Sequence, residues 1–302
     1  MNNLDITDEL LLEELKKRFE HKRKAIEELQ GITQELESVN NKLKSSEALK
    51  SHFIANINNE IVNPFASVLG LSRSIMLVKE NDWERVQRLA KLIFTEAFQL
   101  DFQLKNIFVA AEIEAGNIRP QYSNVCIKQV IEGIFVDMKS DLDAKHLTTV
   151  FRSNLTNENG DAIYFKTDPE KFKIIVANLV SNAIKFSKGA EIEVEAFLDG
   201  SKLTLSVKDY GIGISESNQK IIFDRFTRLD TGINSLNRGH GLGLSIVKAL
   251  LEIFEGEIKI ESKRGEGTTF IIVLNEPQGG EDIEDFSFEG NEVFFGTEEE
   301  VF

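Results

Sequence analysis

The stretch Phe53–Gly70 reads FIANINNEIVNPFASVLG, and its apolar residues continue a helical pattern from the residues before it. Pro64 removes a backbone donor and clashes with the preceding turn, so we expect a helix that kinks there and continues to about Val78. Upstream, apolar residues recur in heptads from about Leu11, which predicts a parallel dimeric coiled coil. The alternative, a solvated helix without a partner, is disfavoured because uniformly polar helices of this length are rarely stable alone.

A second amphipathic helix is predicted downstream of Phe53–Gly70. The segment KEND makes a turn, and apolar residues then follow helical spacing from about Trp83 to Ala115, before Gly116 and Pro120 end the pattern. Two helices joined by a short turn cannot bury their apolar faces alone, whereas two copies form a four-helix bundle. The sequence therefore predicts a homodimer.

The residues after this hairpin alternate between helical and extended patterns. We predict a long helix in DPEKFKIIVANLVSNAIKFS, a helix from about Gly241 to Phe254, and strands near Ala190–Phe197, Leu203–Lys208, Gly256–Ser262 and Thr268–Leu274. Helices alternating with hairpin-connected strands indicate an α+β fold with a two-layer sandwich. The predicted domains are a coiled-coil signalling helix (1–50), the hairpin (51–116), a linker (117–124), the sandwich (125–277) and a tail (278–302).

The composition of the chain argues against several classes of function. The chain has 302 residues, 41% of them hydrophobic and 28% charged, as in ordinary soluble proteins. It has no apolar run of about 20 residues and no signal-peptide pattern, so we expect a cytoplasmic protein that does not span a membrane. The net charge of −15 argues against binding nucleic acid. The single cysteine, Cys126, is expected to be a buried structural residue.

The tail differs in character from the rest of the chain. Residues 279–302 carry nine acidic and no basic side chains, interleaved with five phenylalanines. Acidic tails are usually solvated and disordered. The phenylalanines favour a segment that binds a partner or docks on its own chain, and the two interpretations stay open.

Four short motifs fall within the predicted sandwich. They are NLVSNAIKFS with Asn178 and Asn182 on one helix face, DYGIGI beginning at Asp209, IIFDRFTRLD with two phenylalanines, and GHGLGLSIV, whose glycines precede a helix. The N-terminal end of a helix offers free N–H groups and a positive dipole to phosphates. Between the last two motifs, TGINSLNR has the polar, glycine-containing composition of a lid.

These motifs, in this order, resemble the ATPase domain shared by histidine kinases, gyrase, heat-shock chaperones and mismatch-repair proteins. The stretch Phe53–Gly70 resembles the phosphoacceptor box of sensor histidine kinases, except that Asn59 stands where that family has its histidine. An asparagine nitrogen is conjugated to its carbonyl and is not a nucleophile at neutral pH. We therefore expect no autophosphorylation at Asn59. His52, seven residues upstream, lacks an acidic neighbour and is interpreted as a solvated helix residue.

The resemblance implies ATP and Mg²⁺ as ligands. It assigns Asp209 to the exocyclic amine of adenine and Asn182 to Mg²⁺, and an amide oxygen is a ligand type that Mg²⁺ accepts. It also implies that Gly211 and Gly213 let the backbone approach the base. The remaining implied ATP-binding residues are Asn178, Lys185, Arg238, Gly239, Gly241, Leu242 and Gly243, of which Lys185 and Arg238 meet phosphates.

The resemblance leaves several functions open. Glu60 matches the acidic general base beside the acceptor, and Asn63 matches the residue that positions water for dephosphorylating a response regulator. The chain is interpreted either as an ATP-binding pseudokinase or as a two-component enzyme. That enzyme is either a phosphatase using Asn63 or a kinase with an engineered His-to-Asn change. A chaperone-type or repair-type ATPase is disfavoured by the hairpin. Its partner is expected to be a separate response regulator or an upstream sensor protein.

Overall fold

The computed structural model describes residues 8–79, 82–157, 160–224 and 241–277, with the backbone alone at 8–12, 14, 35, 38 and 41–60. The chain divides into two compact units, Met1–Asn56 and Ile57–Phe302. Within the described ranges, no helix combines the length and apolar composition that crossing a bilayer requires.

Helix α1 spans Asp8–Met76, with Pro64 inside it. The sequence predicts a helix that kinks at Pro64 and continues to about Val78, and in the structure the helix continues past Pro64 and ends at Met76. In the first unit five apolar residues at the heptad positions are exposed in the single chain, and these are Leu15, Leu29, Ile32, Leu36 and Val39.

Helix α2 spans Trp83–Ala115, as the apolar spacing predicts. Asp82 caps its N-terminus, where the carboxylate accepts the Arg85 backbone N–H at 3.2 Å. Gly116 ends it in the left-handed conformation (φ 65°), and its N–H donates to the Ile113 carbonyl at 3.1 Å. The second unit thus begins with two helical segments, the part of α1 up to Met76 and α2 from Trp83.

The sandwich has one main sheet. Its strands are β2 (Thr148–Ser153), β4 (Ser187–Asp199), β5 (Lys202–Gly211), β6 (Glu257–Lys263) and β7 (Gly267–Asn275), in the order β2-β4-β5-β7-β6. Two short strands, β1 (Ser123–Val125) and β3 (Phe165–Thr167), form a separate antiparallel pair. The β4–β5, β5–β7 and β6–β7 pairs are antiparallel, whereas β2 pairs with β4 in parallel. The parallel β2–β4 pair differs from the prediction, in which the strands are connected by hairpins.

The helices of the sandwich cover one face of the sheet. They are α3 (Ile127–Asp137), α4 (Lys139–Ala144), α5 (Pro169–Phe186), α6 (Glu216–Gln219) and α7 (Gly243–Ile253). Strand β5 alternates between buried and partly exposed residues, as expected for a sheet covered on one side. The largest fully buried side chains between the layers include Phe165, Phe172, Ile131, Ile175, Leu179, Ile192, Leu205 and Ile246. This core fixes α5 and α7 against the sheet.

Two strands are longer in the structure than the sequence predicts. Strand β4 begins at Ser187, directly after α5, and β5 runs on to Gly211, so the start of the DYGIGI motif lies in a strand. The one-turn helix α6 is absent from the sequence-based prediction.

Candidate nucleotide-binding site

Helix α5 carries the first motif. Asp168 caps the helix by accepting the Lys171 backbone N–H at 3.0 Å, and Pro169 fills the first turn. Asn178 is buried, with 5% of its surface exposed, while Asn182 and Lys185 are half-buried further along the helix. Burial of Asn178 excludes a merely solvated helix face at that position.

Asp209 lies near the end of β5 and is 5% exposed. Burial raises the pKa of Asp209 to about 6, whereas the backbone N–H groups of Gly211 and Thr268 favour its ionised form and oppose that rise. Gly211 N donates to Asp209 Oδ1 at 2.8 Å. The carboxylate is therefore held in one orientation, as a group that reads a base edge requires.

Two glycines of the DYGIGI motif are required by the chain's own packing. A Cβ on Gly211 would lie 2.1 Å from the Phe186 carbonyl oxygen, and one on Gly213 would lie 2.0 Å from the Lys263 carbonyl oxygen. Gly213 also has φ of 61°, where side chains other than hydrogen are strained. These glycines let the loop after β5 approach α5 and the β6–β7 turn closely.

Side-chain hydrogen bonds hold the loop after β5. Ile214 N donates to Ser262 Oγ at 2.8 Å, and Gln219 Nε2 donates to the Ser262 carbonyl at 2.9 Å. The loop between the second and third motifs is thereby tied to β6. Phe223 of the third motif is half-buried beyond it.

The fourth motif leads into α7. Gly241 has φ of 69°, Leu242 is buried, and the helix begins at Gly243. Among the described residues, no side chain caps the first turn of α7. A Cβ on Gly243 would lie 2.6 Å from Asn178 Oδ1, so the start of α7 lies against α5.

Close approaches bring three of the four motifs together. Gly243 lies against Asn178 of α5, and Gly211 lies against Phe186 at the end of the same helix. The start of α7 and the end of β5, which carries Asp209, thus both lie against α5, which carries the two amides, although Asn178 and Gly243 are 65 positions apart in the chain. Arg238 and Gly239, like Phe226, His240 and the lid TGINSLNR, lie outside the described residues.

The acceptor-type residues lie on α1. Asn59 and Glu60 belong to its helical backbone, and their side chains lie outside the described part. Asn63 is exposed one helical turn after position 59, and Pro64 next to it is buried. The predicted docking segment in residues 279–302 also lies outside the described residues.

Thr268 is a site residue that the sequence analysis missed. It pairs with Asp209 across β5 and β7, its backbone N–H donates to that carboxylate, and its Oγ lies 3.0 Å from Ser262 Oγ. The signal for it is the string GEGTTF, a glycine turn followed by hydroxyl residues at a strand start. Cross-strand pairing, which the string alone does not reveal, brings Thr268 to Asp209.

Comparison with known proteins identifies the sandwich. Residues 167–278 match the family described as histidine kinase-, DNA gyrase B-, and HSP90-like ATPase. Those residues are therefore similar to the ATPase domains of this family. Within it lie α5, Asp209 and the start of α7.

Relatives extend the likeness towards the N-terminus. The circadian input-output histidine kinase CikA of Synechococcus elongatus is 29% identical over 81% of this chain and 32% of its own length. The sensor histidine kinase GacS of Pseudomonas protegens is 31% identical over 85% of this chain and 28% of its own length. The chain thus spans about a third of the length of these relatives. The chain is similar to sensor histidine kinases over most of its length, and the match to the ATPase family lies within its sandwich.

A solved structure shares the fold. Full-length ShkA, crystallised in complex with AMPPNP, gives a TM-score of 0.52 at 21% identity, covering 74% of this chain and 46% of that one. At this identity the likeness concerns the fold, a mixed arrangement of helices and a sheet.

Proposed function

We propose that this chain is an ATP-binding signalling protein of the histidine kinase type that does not autophosphorylate at residue 59. The observation that carries the proposal is that the end of β5 with Asp209 and the start of α7 both lie against α5 and its two amides. All of these groups belong to the domain that matches the ATPase family. Asn59 offers no nucleophilic nitrogen, so the ATP γ-phosphate has no acceptor there.

The proposed nucleotide contacts follow from the chemistry of each group. The Asp209 carboxylate accepts the exocyclic amine of adenine, and the first turn of α7 with Gly241, Leu242 and Gly243 binds phosphates through N–H groups. Lys185, Arg238 and Gly239 complete the phosphate contacts. Asn178 and Asn182 face this region from α5.

Mg²⁺ fits the residues present. The described residues hold no cluster of three or more histidine, cysteine or carboxylate side chains that could cage a metal. Mg²⁺ bound with ATP needs only one or two protein oxygens, because phosphates and waters supply the rest of its shell. The half-buried Asn182 amide oxygen supplies such a ligand, and the metal would neutralise charge on the phosphates.

We further propose that the chain is a homodimer. Apolar residues are exposed along both parts of α1 and along α2, among them Leu29, Leu36, Val62, Phe65, Leu69, Leu92 and Phe108. Heptad-spaced residues of this kind are buried when two helices pair, and a helical hairpin buries its second face in a four-helix bundle. A second copy of the chain supplies both surfaces.

A second candidate function, dephosphorylation of a response regulator, is favoured by Asn63. Its side chain is exposed one turn beyond the acceptor position, where an amide can orient a water towards a bound phosphoaspartate. This function needs a separate response regulator and no histidine at position 59.

Calorimetric titration with ADP and with ATP, each with and without Mg²⁺, tests the proposed function. We expect one site per chain and tighter binding with Mg²⁺. Asn182→Ala should remove most of the Mg²⁺ enhancement while Mg²⁺-free binding stays unchanged. Absence of binding to either nucleotide by the unaltered, folded chain would refute the proposal.

A further inference from the structure

The hairpin helix α2 contacts the ATPase domain through a row of polar side chains. Gln99 Nε2 donates to Asp141 Oδ1 at 2.9 Å, and Asn106 Oδ1 accepts Asn178 Nδ2 at 2.6 Å. Gln99 and Asn106 are seven positions apart and share a helix face, which the buried Val109 continues. One face of α2 therefore lies on α4, α5 and α7 of the ATPase domain.

The Asn106–Asn178 pair is buried and internally consistent. Asn106 Nδ2 donates to the Phe102 carbonyl at 3.0 Å, which directs its oxygen towards Asn178. Asn178 Nδ2 uses its second hydrogen on the Ile174 carbonyl at 2.9 Å. The two asparagines are 7% and 5% exposed. With both hydrogens engaged, the orientation of the Asn178 amide is fixed.

The fixed orientation leaves the oxygen of Asn178 facing α7. Asn178 Oδ1 lies where Gly243 has no side chain, 2.6 Å from the position that a Cβ would take. Gly243 is the first residue of α7, and Asn182 follows Asn178 by one turn on α5. A line of contacts thus runs from the hairpin through Asn178 to the helix end proposed to bind phosphates.

Charged groups strengthen the same interface next to this pair. Lys173 of α5 pairs with Asp137 at 2.9 Å, and Asp101 and Lys105 of α2 lie close enough to influence its pKa. Asp141, bonded to Gln99, also lies within electrostatic range of Lys185, which is itself an implied phosphate contact. Side chains of α2 thus lie near α5 at Lys173 and at Asn178.

We propose that Asn106 is a positioning residue for the nucleotide site: it holds the Asn178 amide in the orientation that joins α5 to α7, and so couples nucleotide affinity to the docking of α2. This inference rests on the proposed ATP-binding function. A preorganised site binds more tightly than one that must be ordered on binding. Coupling is reciprocal, so bound nucleotide stabilises the docked hairpin, and a rotation of α2 that removes Asn106 weakens nucleotide binding.

A purely structural role for the pair predicts a different outcome. A buried hydrogen bond that only holds the interface together would lower the unfolding temperature of Asn106→Ala and leave nucleotide affinity of the folded protein unchanged. The dissociation constant for a nucleotide, measured on the folded full chain, separates the two roles.

The test is a titration of the full chain with Mg²⁺-ADP. Asn106→Ala is expected to bind about five- to ten-fold more weakly, the range that corresponds to one net buried hydrogen bond. Asn106→Asp keeps an acceptor oxygen for Asn178 and should bind more tightly than Asn106→Ala. Gln87→Ala, an exposed change on α2, serves as the matched control and should leave the affinity unchanged.

A double-mutant cycle locates the effect. In the Asn178→Ala background, Asn106→Ala should cause no further loss, because the two residues act through one amide. If the losses of affinity from the two single variants add in the double variant, or if folded Asn106→Ala binds as tightly as the unaltered chain, the positioning role is overturned. The proposed ATP-binding function is not affected by either result. Failure of the unaltered chain to bind any adenine nucleotide would overturn the proposed function and this inference together.

Discussion

Replacing Asp209 with asparagine should stabilise the ATPase domain at neutral pH. Burial raises the pKa of Asp209 from 3.8 to about 6, so the folded state disfavours the ionised carboxylate. Two pKa units at about 1.4 kcal/mol each give an upper limit of about 3 kcal/mol for this cost. The amide accepts through one oxygen only, and losing one of the two backbone donors costs about 1 kcal/mol. The net expectation is a gain of about 1 to 2 kcal/mol.

The pH dependence identifies the cause of that gain. A group whose pKa is higher in the folded state loses its contribution to stability as the pH rises through that folded-state pKa. The free energy of unfolding of the unaltered chain therefore increases as the pH falls towards 6. Between pH 7.5 and pH 5.5 the advantage of Asp209→Asn should shrink by about 1 kcal/mol.

Urea unfolding of the full chain at the two pH values measures this difference. The exposed Asp199→Asn, at the β4–β5 turn, is the control and should have no effect. A variant less stable than the unaltered chain at pH 7.5, or a gain that is equal at both pH values, would refute the reasoning.

Three further outcomes are expected. Mg²⁺-ADP affinity should fall by up to about four-fold from pH 8 to pH 5.5, because the neutral acid form of Asp209 accepts the adenine amine more weakly than the carboxylate does; calorimetry on Asp209→Asn, which should lack this dependence, provides the reference. Gly213→Ala should cost more than about 2 kcal/mol in urea unfolding, whereas Gly200→Ala, at φ of 59° with open space around it, should cost about 1 kcal/mol, and equal costs would count against the packing argument. Combined Leu29→Asp and Leu36→Asp should shift the sedimentation of a dimer towards the monomer at least ten-fold in concentration, while the exposed Glu37→Gln should not; an unchanged mass would contradict pairing through this heptad.

Local signals were sufficient to predict most helices. The bounds of α2 follow from apolar spacing and from Gly116, and α5 follows from the Asp-Pro start and its apolar face. Strand ends were less predictable, because β4 and β5 are extended by pairing with each other beyond their apolar cores. The parallel placement of β2 beside β4 depends on tertiary packing and has no local signal.

The residues of the candidate site also divide into those with a local sequence signal and those placed by tertiary packing. Asn178, Asn182, Asp209 and the glycines could be named from motifs, because each motif is contiguous in the chain. Thr268 and Asn106 could not, since they reach the site through strand pairing and through the packing of α2 on α5. Asn106 in particular lies in an amphipathic helix, where one polar residue on a mainly apolar face carries no sign of its partner.

Incubation with Mg²⁺ and γ-labelled ATP tests the central claim most directly. The unaltered chain and Asn59→His are compared for acid-labile label, with Asp209→Ala added to the histidine variant as a control for the nucleotide site. We predict label on Asn59→His, none on the unaltered chain and a strong loss in the double variant, because an intact ATP site then lacks only its nucleophile. Acid-labile label on the unaltered chain would contradict the account.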